Sequence, residues 1–109
     1  MLTYHKDLVA GKWFTLSLAE QLGNVGSEIS RAINWHKKDQ KTSEHAIDRA
    51  LELLDLTIQD ARWRKRLKEL VRTREVLCDA LLEGKEYGSA LEDLNQYFFY
   101  FAVAARSRA

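Results

Sequence analysis

Hydrophobic residues recur at intervals of three and four along most of the chain, which is the spacing of one face of an α-helix. This pattern predicts four helices: about 12–38, 43–59, 61–83, and a fourth that opens at the Ser89-x-x-Glu92 capping box. We expect Thr42 or Ser43 to cap the second helix and Asp60 to cap the third. No stretch alternates between apolar and polar positions, so we expect no sheet. Proline, which interrupts helices, is absent from the sequence.

Each predicted helix carries an apolar stripe that would face a common core. The very short turn at Asp60 makes the second and third helices antiparallel neighbours. The sequence therefore predicts an all-α protein, an up-down antiparallel four-helix bundle, formed by residues 1–109 as one domain with residues 1–11 as an extended N-terminal segment. The predicted stripes are Phe14, Leu18, Leu22, Val25, Ile29, Ala32, Ile33 and His36 in the first helix, Ala46, Ile47, Ala50, Leu51, Leu53, Leu54, Thr57 and Ile58 in the second, Trp63, Leu67, Leu70, Val71, Leu77, Cys78 and Leu81 in the third, and Leu91, Leu94, Tyr97, Phe98, Phe101 and Ala105 in the fourth.

A second face of the first helix is built from small residues: Ala19, Gly23, Gly26, Ser27 and Ser30. A glycine inside a helix costs about 1 kcal/mol relative to alanine. Close approach of another backbone would offset that cost, because small side chains let helices pack tightly. We therefore predict that another helix packs against this face.

Composition restricts the class of protein. Hydrophobic residues make up 46% and charged residues 30%, which is typical of a soluble globular domain. No apolar run approaches the roughly 18 residues of a membrane span, and the N-terminus lacks the apolar centre of a signal peptide. The lone Cys78 excludes an internal disulfide and fits a reducing compartment. We expect a cytoplasmic protein that does not enter a membrane.

Charge is unevenly distributed although the net charge is only +1. Residues 61–75 carry seven bases and two acids, whereas residues 42–60 carry five acids and one base. Three interpretations of the basic stretch stay open: a solvated helix face, a phosphate-binding surface, or a contact with the acidic face of another subunit. The candidate nucleic-acid-binding residues are Arg62, Arg64, Lys65, Arg66, Lys68 and Arg72.

Two further features concern packing. Arg74 falls in the apolar stripe of the third helix, and a buried guanidinium must be paired. Glu20, Gln21 and Glu28 are the candidate partners.

The fourth helix, with its "YFFYFAVAAR" sequence, is apolar nearly all round. Large apolar patches mark interfaces, so we expect a homo-oligomer. The candidate interface residues lie off the core face: Phe99, Tyr100 and Val103.

The sequence offers little for catalysis or for metal binding. The three histidines share no spacing, and no glycine-rich phosphate loop, Ser-His-Asp set or paired-carboxylate motif occurs. We therefore expect no cofactor, no metal and no enzymatic activity. One alternative remains, a small ribonuclease that uses Arg31 and His36. In "RAINWH" these two residues have the spacing of the Arg-x4–6-His signature, and the motif resembles that of the HEPN ribonucleases.

The stretches "LAEQLGNVGSEISRAINW" and "SEHAIDRALELLDLTI" resemble a known family. They are similar to the small four-helix-bundle proteins encoded in intervening sequences of large-subunit ribosomal RNA genes. The matching residues are Leu18, Gln21, Leu22, Ser27, Ile29 and Asn34. In this chain Glu28 separates Ser27 from Ile29, and Trp35-His36 stands where the family has Glu-Gly after the asparagine.

The same fold group contains Avd, the accessory protein family of diversity-generating retroelements. That resemblance implies a basic homopentamer of four-helix bundles that binds a reverse transcriptase and nucleic acid, with no catalytic residue to carry over. Our leading hypothesis is a non-enzymatic oligomeric accessory protein that binds RNA or DNA. The main alternative is a protein–protein scaffold in which the acids of the second helix meet the bases of the third between subunits.

Overall fold

A computed structural model describes residues 11–82, 94–100 and 103, with side chains for 11–78, 94–100 and 103. A 3-10 turn, Lys12–Thr15, precedes helix α1, Leu18–Trp35. Helix α2, Gln40–Gln59, is followed by a 3-10 segment, Ala61–Arg66, and by helix α3, Leu67–Leu82. Helix α4 comprises residues 94–100, and residue 103 is also helical. These parts of the chain contain no strand, so the predicted all-α class with four helices is confirmed.

Helix α1 is shorter than the predicted helix over 12–38. Leu16 and Ser17 adopt extended backbone conformations, which separate the 3-10 turn from the helix. The Ser17 hydroxyl accepts a hydrogen bond from the Glu20 amide at 3.1 Å, and the Glu20 carboxylate accepts one from the Ser17 amide at 3.0 Å. This capping box satisfies amide groups that the first helical turn leaves without partners. The predicted start was wrong because the apolar spacing continues upstream of the capping box.

Helix α2 begins earlier than predicted. Its N-cap is Asp39, whose carboxylate accepts hydrogen bonds from the amides of Lys41 and Thr42, so the prediction of Thr42 or Ser43 was wrong. Ser43 is instead buried, and its hydroxyl donates to the carbonyl of Ala32 at 2.7 Å. The side chain that was expected to start α2 therefore holds α2 against α1.

Helices α1 and α2 form an antiparallel pair. Ser43 contacts Ala32 near the connection, Arg49 pairs with Glu28 midway, and Thr57 lies at the far end. The stripes predicted for these two helices supply most of the core, with Phe14, Ile33, His36, Leu51 and Ile58 only partly buried. The sequence did not predict the burial of Trp13, which is nearly inaccessible to solvent. The buried members of the two predicted stripes are Leu18, Leu22, Val25, Ile29, Ala32, Ala46, Ile47, Ala50, Leu53, Leu54 and Thr57, and Gln21, Gly26, Ser43 and Leu56 are buried as well.

The region predicted as one helix over 61–83 consists of two elements. Asp60 caps it as predicted, but Trp63 has non-helical φ and ψ of −101° and 23°, and the α-helix begins only at Leu67. Leu70 and Leu77 are buried, whereas Leu67 and Val71 are exposed. Those two positions of the predicted stripe were therefore wrong. The side chain of Leu81 lies outside the described residues.

Helix α4 packs on the face of α1 that carries small residues. A Cβ atom added at Gly26 would lie 2.5 Å from the Cβ of Phe98. The Ser30 hydroxyl lies 2.6 Å from the Asn95 amide oxygen and donates to it. The predicted close approach of another helix is thus confirmed at Gly26, and Leu94 and Phe98 are buried as predicted. The predicted capping box at Ser89 and Glu92, together with Leu91, Phe101 and Ala105, lies outside the described residues.

Candidate nucleic-acid interface

A hydrogen-bonded group of buried side chains holds the start of the basic stretch in place. At its centre is Gln21, which is fully buried. Its amide nitrogen donates to the carbonyl of Trp13 at 2.9 Å and to the carboxylate of Asp60 at 3.1 Å. Its amide oxygen accepts from the indole nitrogen of Trp63 at 2.7 Å. The Trp13 indole donates to Thr57 at 3.2 Å. We call these five residues the end cluster.

The end cluster determines the position of Arg62. The almost completely buried Asp60 carboxylate accepts hydrogen bonds from Arg62 Nε at 3.0 Å and from Nη2 at 2.6 Å. The same Nη2 donates to the carbonyl of Leu16 at 2.7 Å. The hydrogen bond from Arg62 holds the pKa of Asp60 below its ordinary value, against the opposing effect of burial. Arg62 therefore has a structural role that the sequence did not reveal.

Two more bases of the stretch are paired with acids. Arg66 lies 3.2 Å from Glu69, whose carboxylate also accepts a hydrogen bond from the Tyr97 hydroxyl at 2.9 Å. Burial and this carboxylate raise the pKa of Tyr97. Arg74 pairs with Asp55 at 2.6 Å. The predicted ion pair of Arg74 therefore exists, but it is only partly buried.

The predicted partners of Arg74 were wrong. Glu20 caps α1, Gln21 belongs to the end cluster, and Glu28 pairs with Arg49 at 2.5 Å. All three lie on α1, whereas the actual partner, Asp55, lies on α2, because α3 packs its Arg74 side against α2.

The remaining four bases form a surface that we call the basic strip: Arg64, Lys65, Lys68 and Arg72. All four side chains are exposed, and none forms an ion pair with a residue in the described part of the chain. Lys68 and Arg72 are one helical turn apart, and Lys65 precedes Lys68 by three residues. At 1.5 Å per residue, the strip extends about 12 Å along the helix axis. One acid, Glu75, follows Arg72 by three residues.

The acidic segment of α2 is partly neutralised within the same chain. Asp55 and Asp60 already bind Arg74 and Arg62. Glu44 and Asp48 are exposed and form no ion pair with any residue that the structure describes. The acidic face available to another molecule is therefore smaller than the sequence suggested.

Helix α4 presents a separate apolar surface. Phe99 is 61% exposed, Tyr100 70% and Val103 42%, so the three candidate interface residues lie off the core as expected. Beside them a cleft of about 140 Å³ lies along the contact between α4 and the small residues of α1. Phe99 and Val103 line this cleft together with Gly26 and Ser30.

The alternative ribonuclease pair lies at the end of α1. His36 is the C-cap residue, and the exposed Arg31 lies 4.0 Å from Glu28. Residues 11–82, 94–100 and 103 contain no group of three or more His, Cys, Asp or Glu side chains that could hold a metal ion. None of the helices in this part of the protein is long and apolar enough to cross a membrane.

Comparisons with protein-family models, with curated proteins and with solved structures found no match. The similarity to the intervening-sequence and accessory-protein families therefore stays a prediction from the sequence.

Proposed function

We propose that this protein is a non-enzymatic, oligomeric accessory protein that binds RNA or DNA through the phosphate backbone. The observation that carries the proposal is the basic strip, in which four exposed bases have no acidic partner in the described part of the chain. Contacts of this kind are electrostatic and independent of base sequence. Arg62 and Arg66 contribute less, because Asp60 and Glu69 already occupy their donors.

Charge balance favours a phosphate ligand over a second copy of the chain. In the scaffold alternative, the acids of α2 in one subunit meet the basic strip of another. Asp55 and Asp60 are already paired within their own chain, so at most three acids of that segment, Glu44, Asp48 and Glu52, would face four bases. A nucleic-acid strand supplies one negative charge for every nucleotide and can match the whole strip.

We propose that the fold that carries this surface is an up-down antiparallel four-helix bundle. Residues late in α2 contact the segment just before α1, and residues early in α2 contact the end of α1, so these two helices are antiparallel. The same holds for α1 and α4, where Ser30 contacts Asn95 and Gly26 contacts Phe98. These contacts support antiparallel packing for three of the four helices.

We further propose that the exposed residues of α4 join copies of the chain. Phe99 and Tyr100 are the most exposed large hydrophobic side chains on the described surface, and such patches mark interfaces. The resemblance to the accessory proteins suggests a pentamer and, as an additional partner, a reverse transcriptase.

Replacing both Phe99 and Tyr100 with serine should convert the oligomer to monomers, because the apolar area buried between subunits would be lost. Sedimentation velocity would measure the change. Trp35→Ser is the matched control, since it removes an exposed aromatic side chain at the last residue of α1, nine residues beyond the glycine that contacts Phe98. Sedimentation of the wild-type protein as a monomer at micromolar concentration would contradict the interface.

Reversing the charge of the strip with Lys65→Glu, Lys68→Glu and Arg72→Glu should weaken binding to a fluorescein-labelled RNA or DNA by more than about 100-fold. Fluorescence anisotropy would measure it. With four phosphate contacts, the wild-type affinity should fall by about 50- to 150-fold between about 50 and 200 mM salt.

The matched control for this experiment is a second triple variant, Lys37→Glu, Lys38→Glu and Lys41→Glu. These three bases are also exposed, and the change in net charge is the same. The control should lose less than about fivefold in affinity. Equal losses in both triple variants would mean that only net charge matters and would refute the basic strip as the site. Circular dichroism should show the same helix content in all three proteins.

A further inference from the structure

We propose that the ligand is a single strand and that one unpaired base stacks on the guanidinium group of Arg62, beside the basic strip. This inference rests on the proposed function and names the substrate class of the same site. Its starting point is that Arg62 is held in one position although its side chain remains 41% exposed.

The guanidinium group of Arg62 is fixed along its edge and on one face. Asp60 accepts hydrogen bonds from Nε and Nη2, and the Leu16 carbonyl accepts from Nη2. The carbon atom Cζ lies over the Trp63 ring, 4.4 Å from its centroid. Trp63 is in turn held by its hydrogen bond to Gln21. The support beneath the guanidinium group is therefore as rigid as the end cluster.

The exposed part of Arg62 consists of those atoms that contact neither Asp60, nor the Leu16 carbonyl, nor the Trp63 ring. One face lies against Trp63, and Nε and Nη2 point to their acceptors, so we infer that the exposed 41% of the side chain includes the opposite face and Nη1. Guanidinium planes and aromatic rings are the surfaces on which proteins stack unpaired bases. An arginine that is already immobilised loses little conformational freedom when it binds. The usual conformational cost of such a contact is thus largely avoided.

The position of Arg62 along the chain relates the stacking surface to the phosphate contacts. Arg62 and Lys65 lie three residues apart in the 3-10 segment, with the non-helical backbone of Trp63 between them. Three residues span at most about 11 Å, so the stacking surface and the first bases of the strip are near neighbours. A nucleotide whose base covers Arg62 can place its backbone against Lys65 and Arg64. A base paired inside a duplex cannot present its face in this way, which predicts a preference for single strands.

The test compares four labelled ligands of about twelve nucleotides by fluorescence anisotropy with the wild-type protein: oligo(dT), oligo(rU), an abasic DNA strand and a DNA duplex. The abasic strand has the same number of phosphates as oligo(dT) but no bases. We expect oligo(dT) to bind at least about fivefold more tightly than the abasic strand, and at least one of the two base-bearing strands to bind more tightly than the duplex.

A pair of conservative variants assigns the stacking to one residue. Arg62→Lys keeps the charge but removes the planar group, so the ratio of the oligo(dT) and abasic affinities should fall to about one. Arg64→Lys is the matched control: it should change both affinities by the same factor and leave their ratio as in the wild type. If Arg62→Lys does not fold, Arg62→Gln provides a second test of the assignment, and the abasic comparison with the wild-type protein decides whether an unpaired base contributes to binding.

The outcomes separate this inference from the proposed function. Equal binding of oligo(dT), the abasic strand and the duplex, with a steep salt dependence, would overturn the stacking and leave the phosphate-binding proposal intact. An unchanged affinity ratio in Arg62→Lys would remove the assignment to Arg62. Absence of binding to every ligand at about 50 mM salt would overturn both proposals.

Discussion

Replacing Gln21 with leucine should lower the free energy of unfolding by about 2 kcal/mol or more. The leucine would fill most of the space, but the Trp63 indole nitrogen would lose its acceptor, and the Trp13 carbonyl would keep only its hydrogen bond from the Leu16 amide. Asp60 would lose one of its hydrogen bonds as well. Each buried polar group left unsatisfied costs about 1–3 kcal/mol. The greater apolarity of leucine offsets only part of this loss.

Urea denaturation followed by circular dichroism would give the change in unfolding free energy. Gln59→Leu makes the same chemical change at the exposed last residue of α2 and should alter stability by no more than about 0.5 kcal/mol. If Gln21→Leu were as stable as this control, the end cluster would not contribute to the fold as described. Binding of a single strand by the Gln21 variant should also weaken, since Trp63 supports Arg62.

Replacing Gly26 with leucine should separate α4 from α1 and cost about 3 kcal/mol. Helix propensity alone predicts the opposite sign, because leucine is more favourable than glycine in a helix interior by just under 1 kcal/mol. The first added carbon would already lie 2.5 Å from the Cβ of Phe98, and that atom moves only if α4 moves. Displacing α4 would expose the buried Phe98 and Leu94, whose burial contributes about 1.5–3 kcal/mol each.

The matched control introduces the same residue on the other side of the same helix. Asn24 is exposed, so Asn24→Leu should be close to neutral. Thermal denaturation of the two variants would separate the effects of packing from helix propensity. A Gly26→Leu protein that melts at or above the wild-type temperature would show that α4 does not rest on this glycine.

The strongest periodicity gave the most accurate predictions. The stripes of α1 and α2 are long and regular, and they form most of the observed core. Helix ends were less well predicted, because a local hydrogen bond decides them. Ser17 and Glu20 form a capping box that is present in the sequence, but Phe14 continues the apolar period and hides the boundary. At α2, Asp39 takes the capping position, three residues before Thr42 and four before Ser43, the two residues expected to do so.

The sequence identified the bases of the candidate site, but it did not predict which of them are paired with acids and which are free to bind a ligand. The seven bases of 61–75 are a visible feature of the sequence, whereas their division into paired and unpaired side chains depends on tertiary contacts. Arg74 reaches Asp55, which lies nineteen residues away on another helix. Arg62 is bound by its near neighbour Asp60, and also by a carbonyl forty-six residues distant. Gln21 gave a local signal, a polar residue among apolar positions of the stripe, but the sequence suggested Arg74 as its partner rather than Asp60 and Trp63.

The placement of the tryptophans divides the intrinsic fluorescence of the protein between two locations. Trp13 and Trp63 are both hydrogen-bonded members of the end cluster, and Trp35 lies partly exposed at the last position of α1. A Trp35→Phe protein would therefore emit only from the two indoles that contact Thr57 and Gln21. Because Arg62 covers one of these rings, quenching of that emission offers an unlabelled optical signal for events at the guanidinium group.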